Sequence, residues 1–244
     1  MQTDVFDDIL CQLLDDELAM LRTEFAAIMN SLNNAGAGFF LIGDVAVAEY
    51  TNPFATTELD IQLLNHSLSD AHQILSVLNL DFIAHGNQLI IKSKQLSERE
   101  YDYRIYLHAP IHFVSQHYKQ GRSAKVLGIQ GVPVSDIQTL VWFQLHWMLA
   151  GGRHCKLQYK VHLAQLFGAE LFKIEEARRW LIESSNASMI SLFNKVVSDI
   201  ENAKLNPGLT WGEVQELKRL QHEPSPKAET DFLLSEKNGG IPRR

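Results

Sequence analysis

The stretch Phe39–Leu64, FFLIGDVAVAEYTNPFATTELDIQLL, decides how this chain is read. An apolar run from Phe39 to Ile42 ends at Gly43-Asp44, and a short amphipathic segment continues to Tyr50. Thr51-Asn52-Pro53 breaks that segment, because proline has no N–H to donate and restricts the residue before it. Leu59, Ile61 and Leu63 then alternate with Glu58, Asp60 and Gln62, the period of a half-buried strand with one apolar and one acidic face. Side chains two apart on a strand point the same way, so Glu58 and Asp60 can meet one bound cation. The spacing predicts a buried strand, a helix starting directly on Gly43 and an acidic strand, in that order.

Working outward, apolar residues from Val5 to Leu32 recur at helical spacing, and Asn33-Asn34-Ala35-Gly36-Ala37-Gly38 closes the helix. On the other side a helix is predicted over Ser67–Leu78, with Ser67 as N-cap and Asp70 three residues on, close to a capping box. Strands follow at Phe82–Ala84 and Leu89–Lys92, joined by a tight turn at Gly86-Asn87, and at Tyr101–His108. Ile111–Tyr118 reads as a short helix and Lys125–Val134 as a hairpin turning at Gly131. From Ser135-Asp136, a helix cap, the pattern is almost entirely helical: a run to Leu149, then Cys155–Phe167, Ile174–Ile182, Met189–Leu205 and Trp211–Leu220. The expected organisation is an α/β domain over 1–134 with a mixed sheet flanked by helices, a helical domain over 135–222, and a mostly disordered tail over 223–244.

Composition narrows the function classes. A chain of 244 residues can bury a full core. Its formal charge of -7 supplies no global basic field to draw in nucleic acid. The two cysteines, Cys11 and Cys155, lie too far apart to suggest a disulfide framework and fit a reducing compartment. With no leader-like start and no apolar run of about 18 residues, the expectation is a cytoplasmic protein with no membrane anchor. His146, His154, Cys155 and His162 lack a zinc-ligand rhythm, and the Trp142, Phe143, Leu145, Trp147, Met148 run reads as core packing.

Strand, glycine turn, short helix and acidic strand in that order resemble the nucleotidyltransferase superfamily, the fold shared by polymerase beta, and within it the minimal nucleotidyltransferases and the abortive-infection toxin-like group. Gly43-Asp44 stands where that family has Gly-Gly or Gly-Ser, and Thr56-Thr57-Glu58-Leu59-Asp60 stands at its Thr-x-Asp-x-Asp-like segment. Thr139–Leu145 and Arg153-His154-Cys155-Lys156-Leu157 occupy the places of two later helical motifs, so the likeness covers roughly residues 20 to 168. The resemblance implies transfer of a nucleoside monophosphate from a nucleoside triphosphate (NTP), with Glu58 and Asp60 holding Mg2+ or Mn2+. It implies Gly43 and Asp44 at the triphosphate, Lys156 on a phosphate, and Asp102 as the candidate third catalytic acid. Such chemistry needs two divalent cations about 3.5–4 Å apart and mostly oxygen ligands. The acceptor, whether a protein, a small molecule or a tRNA, is left open, as is the oligomeric state.

Several positions depart from the family pattern. Glu58 replaces the usual aspartate, Asp44 puts a carboxylate where a small or hydroxyl residue holds phosphate, and Phe54 stands where an arginine often precedes the acidic strand. On the Tyr101–His108 strand, Tyr106 or a neighbour falls at the third-acid position. These departures imply activity reduced or lost. The alternative is a non-catalytic nucleotide-binding or protein-interaction module, a pseudoenzyme of a toxin-antitoxin or regulatory system.

Overall fold

The computed structural model of the chain describes residues 15–51, 58–78, 80–93, 104–150, 153–184 and 186–202. Expectations for residues 1–14, for Trp211–Leu220 and for the 223–244 tail lie outside the described residues. Helix α1 (Asp15–Asn34) leads into β1 (Phe39–Ile42), α2 (Gly43–Ala48), β2 (Glu58–Leu63), α3 (Leu68–Leu75), β3 (Leu80–His85), β4 (Gln88–Ser93), β5 (Arg104–His108) and α4 (His112–His117). After these come β6 (Gln120–Val126), β7 (Ile129–Ser135), α5 (Ile137–Ala150), α6 (Arg153–Phe167), α7 (Ile174–Glu183) and α8 (Ala187–Glu201).

The strands form a seven-stranded sheet in the order β3-β4-β5-β2-β1-β7-β6. It is mixed: β2 runs parallel to β5 and β1 parallel to β7, while β1–β2, β3–β4, β4–β5 and β6–β7 are antiparallel. Helices flank it, as expected for the fold class. β1 lies inside the sheet between β2 and β7 with all four residues buried, in keeping with its continuously apolar sequence. Phe40 stacks on Tyr118 and meets Phe143 of α5 edge-on, tying the sheet to the first helix of the second half.

Local chemistry accounts for the ends of these elements. α1 closes with Gly36 at φ +70 and a bond from Ala37 N to Leu32 O, the glycine-terminated helix end read from the sequence. α3 carries the full capping box: Ser67 Oγ accepts from Asp70 N, and the Asp70 carboxylate accepts from Ser67 N. Asp136 caps α5 by accepting from the backbone N–H of Gln138 and Thr139 and from the Thr139 hydroxyl. The β6–β7 hairpin departs from expectation, since it turns at Leu127-Gly128, where φ is +50 and +80, and not at Gly131. Among the described residues no helix is long and apolar enough to cross a membrane.

Candidate functional site

β1 delivers the chain to Gly43, and β2 runs antiparallel beside it with Ile42 opposite Asp60. The turn into α2 therefore lies against the Asp60 side chain. Gly43 has φ +70, and a Cβ built on it would stand 2.2 Å from Asp60 Oδ2. Only glycine allows both the backbone conformation and that approach. The close contact couples the glycine to the acid inside the protein.

The parallel β2–β5 pairing places Glu58 opposite Arg104, Asp60 opposite Tyr106 and Gln62 opposite His108. Partners across a sheet share a face, so these six side chains form one polar strip. Two diagonal bonds cross it. His108 Nε2 lies 2.7 Å from Asp60 Oδ1, and the Tyr106 hydroxyl donates to Glu58 Oε1 at 3.1 Å. Gln88 Nε2 sits 3.3 Å from His108 Nδ1; with the amide donating there, the imidazole proton is assigned to Nε2 and is donated to Asp60. The Asp60 and His108 side chains are only 16% and 10% exposed, so water competes little for this bond. Trp147 of α5, with its ring centroid 5.8 Å from that of His108, covers the imidazole.

The electrostatics follow from this packing. Desolvation, and after it the charge of Asp60, raise the pKa of Glu58 above the usual carboxylate range, although the residue as a whole is exposed. Tyr106 is pushed up to about 12 by desolvation and by the Glu58 charge, so its hydroxyl remains a donor at neutral pH. Deep in the strip Gln62 is fully buried and donates to the carbonyl of Ala109. The acidic face of β2 is thus half closed, where the alternation alone suggested an open one.

Asp44 does not cap α2. The N-cap is Ile42, without a side-chain cap bond, and Asp44 sits in the first turn with its carboxylate 3.6 Å from His162 Nδ1 of α6. Burial pushes His162 down to about 4, so this is a neutral imidazole beside a carboxylate and not a salt bridge. Lys156 falls on α6, its side chain lying outside the described set, and Asp102 lies outside the described residues. The structure therefore brings together Gly43, Glu58 and Asp60, and adds Tyr106 and His108. The sequence held one signal for those two: Arg104, Tyr106 and His108 alternate with Ile105 and Leu107, a polar face on a strand.

Magnesium prefers oxygen ligands in near-octahedral geometry. The strip offers two carboxylates already bonded to a phenol and an imidazole, and no acid stands opposite Glu58, Asp60 or Gln62 on β5. Among the described residues no three His, Cys, Asp or Glu side chains are grouped as a metal site. Among the described residues the donors are these two carboxylates, each already engaged within the strip, and no catalytic step is derived through a metal.

No protein-family model matches the chain, and no curated protein matches it in sequence. Solved structures do. The antibiotic-resistance factor ANT(2'')-Ia is similar at 10% identity and a TM-score of 0.41, over 76% of this chain and 95% of that one. A nucleotidyltransferase-like protein from Paracoccidioides brasiliensis is similar at 12% identity and a TM-score of 0.43, over 62% and 76%. The lincosamide antibiotic adenylyltransferase LnuA, solved with lincomycin, is similar at 13% identity and a TM-score of 0.38, over 59% and 94%. At similarities this low, what the site does has to be read from its own residues.

Proposed function

We propose that this is a nucleotidyltransferase-like protein whose acidic motif has become an internal polar cluster, and that the chain works as a protein-interaction module without transferring a nucleotidyl group. The observation that carries this reading is the 2.7 Å bond from His108 Nε2 to Asp60 Oδ1. A carboxylate that accepts a hydrogen bond from a covered imidazole, with its other oxygen packed on Gly43, is held by the protein and not set aside for a cation.

Asp44 adds to the argument. Its carboxylate follows directly on Gly43, where the resemblance would seat a triphosphate. Two like charges about 4 Å apart repel by about 1 kcal/mol in water and about 4 kcal/mol at a partly shielded site. The positive end of α2 is therefore already met by a side chain of the same charge as a phosphate.

Incubation of the full chain with each alpha-labelled NTP, magnesium or manganese, and candidate protein, tRNA or small-molecule acceptors tests the proposal. No label should be transferred, and no triphosphate should raise the melting temperature in a magnesium-dependent way. Transfer that is abolished by Asp60→Ala would overturn the reading.

A further inference from the structure

A cavity of about 510 Å³ opens between the end of α4, the start of α5 and α7, and none of its lining residues belongs to the acidic strip. Its size is that of a small-molecule site, for which about 300–1,000 Å³ is usual. One wall is aromatic and held by packing. Trp180 meets Phe113, His117 and Trp142 edge to face, with ring centroids 4.8, 6.4 and 6.3 Å apart, and Tyr118 stacks on Phe40 of β1. These contacts fix the wall before any ligand arrives.

The charged groups of the cavity fall into two sets. Asp136 and Glu176 are already used: Asp136 caps α5, and the Glu176 carboxylate accepts from Gln138 Nε2 and from Lys173 Nζ, each at 3.1 Å. Lys119, Arg179 and Glu183 are not. All three are exposed, and among the described residues none of their side chains forms a hydrogen bond or an ion pair. Arg179 and Glu183 stand four apart on α7, the spacing at which opposite charges on one helix face meet, yet they do not pair, whereas Arg178 and Glu175 of the same helix do. Neutral groups complete the lining. Desolvation, and after it the charge of Asp136, raise the pKa of Tyr118, so its hydroxyl stays a donor at neutral pH. His117 Nδ1, 2.9 Å from the Phe113 carbonyl, donates to it and leaves Nε2 to accept in the neutral ring.

We infer that this cavity binds a free aromatic α-amino acid, with the carboxylate on Arg179 and Lys119, the ammonium on Glu183 and the ring against Trp180. The unused charges are of both signs, so a zwitterion matches them where a simple ion does not. An anion would leave Glu183 unmatched beside two further carboxylates, and an amine would face two cations. Arg179 and Glu183 lie one helical turn apart, which suits a ligand whose own opposite charges share one carbon. A guanidinium can also grip a carboxylate through two parallel bonds. The inference does not depend on whether the acidic motif is active.

Isothermal titration calorimetry of the full chain with L-phenylalanine, L-tyrosine and L-tryptophan tests it. At least one should bind, and the matching compounds without the ammonium or without the carboxylate, phenylpropionate and phenethylamine in the case of L-phenylalanine, should each bind at least about tenfold more weakly. Arg179→Gln should weaken the amino acid by about tenfold or more. Glu183→Gln should weaken the amino acid but not the acid that lacks the ammonium. Both side chains are exposed, and melting curves establish that each variant is folded. Failure of all three amino acids to bind at millimolar concentration would overturn the inference. So would binding that neither variant weakens, or an acid that binds as tightly as its amino acid, which would make this a simple anion site.

Discussion

Gly43 and Asp60 act as one unit at the start of α2. The glycine is required twice, by its φ of +70 and by the 2.2 Å that a Cβ would leave to Asp60 Oδ2. Gly43→Ala should therefore cost more than about 2 kcal/mol, combining left-handed strain with a clash. Asp60→Ala in the same chain should recover part of it, since removing the carboxylate relieves the clash but not the strain; denaturant melts of the two singles and the double would show the coupling. Glu58 makes a pH-dependent prediction. Its folded pKa lies above the ordinary value of 4.5, so its contribution is favourable below the unfolded pKa and is lost as pH rises through the folded one. Glu58→Gln, which still accepts from Tyr106, should raise the melting temperature slightly at neutral pH, and the gain should vanish below about pH 4.5. The effect is small because the residue is exposed. The pairing of Glu58 with Asp60 on one face was legible from spacing two. The bond to His108 was not, because it joins residues 48 apart across a parallel pair whose register is set by the fold.

At the level of elements, legibility depended on whether the signal was local. The capping box of α3 lies within four residues and was read correctly from Ser67 and Asp70. Ser67→Ala should lower the melting temperature by about 2–4 °C, the worth of one cap in a protein of this size. The β6–β7 hairpin was placed wrongly for an instructive reason. Gly131 does have φ +77, but it lies where β7 spends two residues, Gln130 and Gly131, against one on β6, Lys125, between Val126 opposite Ile129 and Ala124 opposite Val132. The glycine serves a bulge. The turn itself uses Leu127, a residue with no turn preference, held at positive φ while its side chain is buried at 2% exposure. Tertiary burial overrides local preference there, and a sequence pattern cannot show it.

For the whole molecule, the order strand, short helix, acidic strand was enough to anticipate a mixed sheet flanked by helices. What that order could not disclose is the chemistry of the β5 face, where Arg104, Tyr106 and His108 lie opposite Glu58, Asp60 and Gln62. Helix α5 then covers the strip through Trp147. The central claim is that the β2 acids are satisfied within the protein by Tyr106 and His108 and are not held for a cation. Its most direct test is the thermal melt of the full chain with and without magnesium at constant ionic strength. The wild-type melting temperature should not move, whereas Tyr106→Asp, which places a third carboxylate opposite Asp60, should melt lower without magnesium and recover when it is added. A wild-type melting temperature that rises with magnesium, and no longer does so in Asp60→Asn, would contradict it.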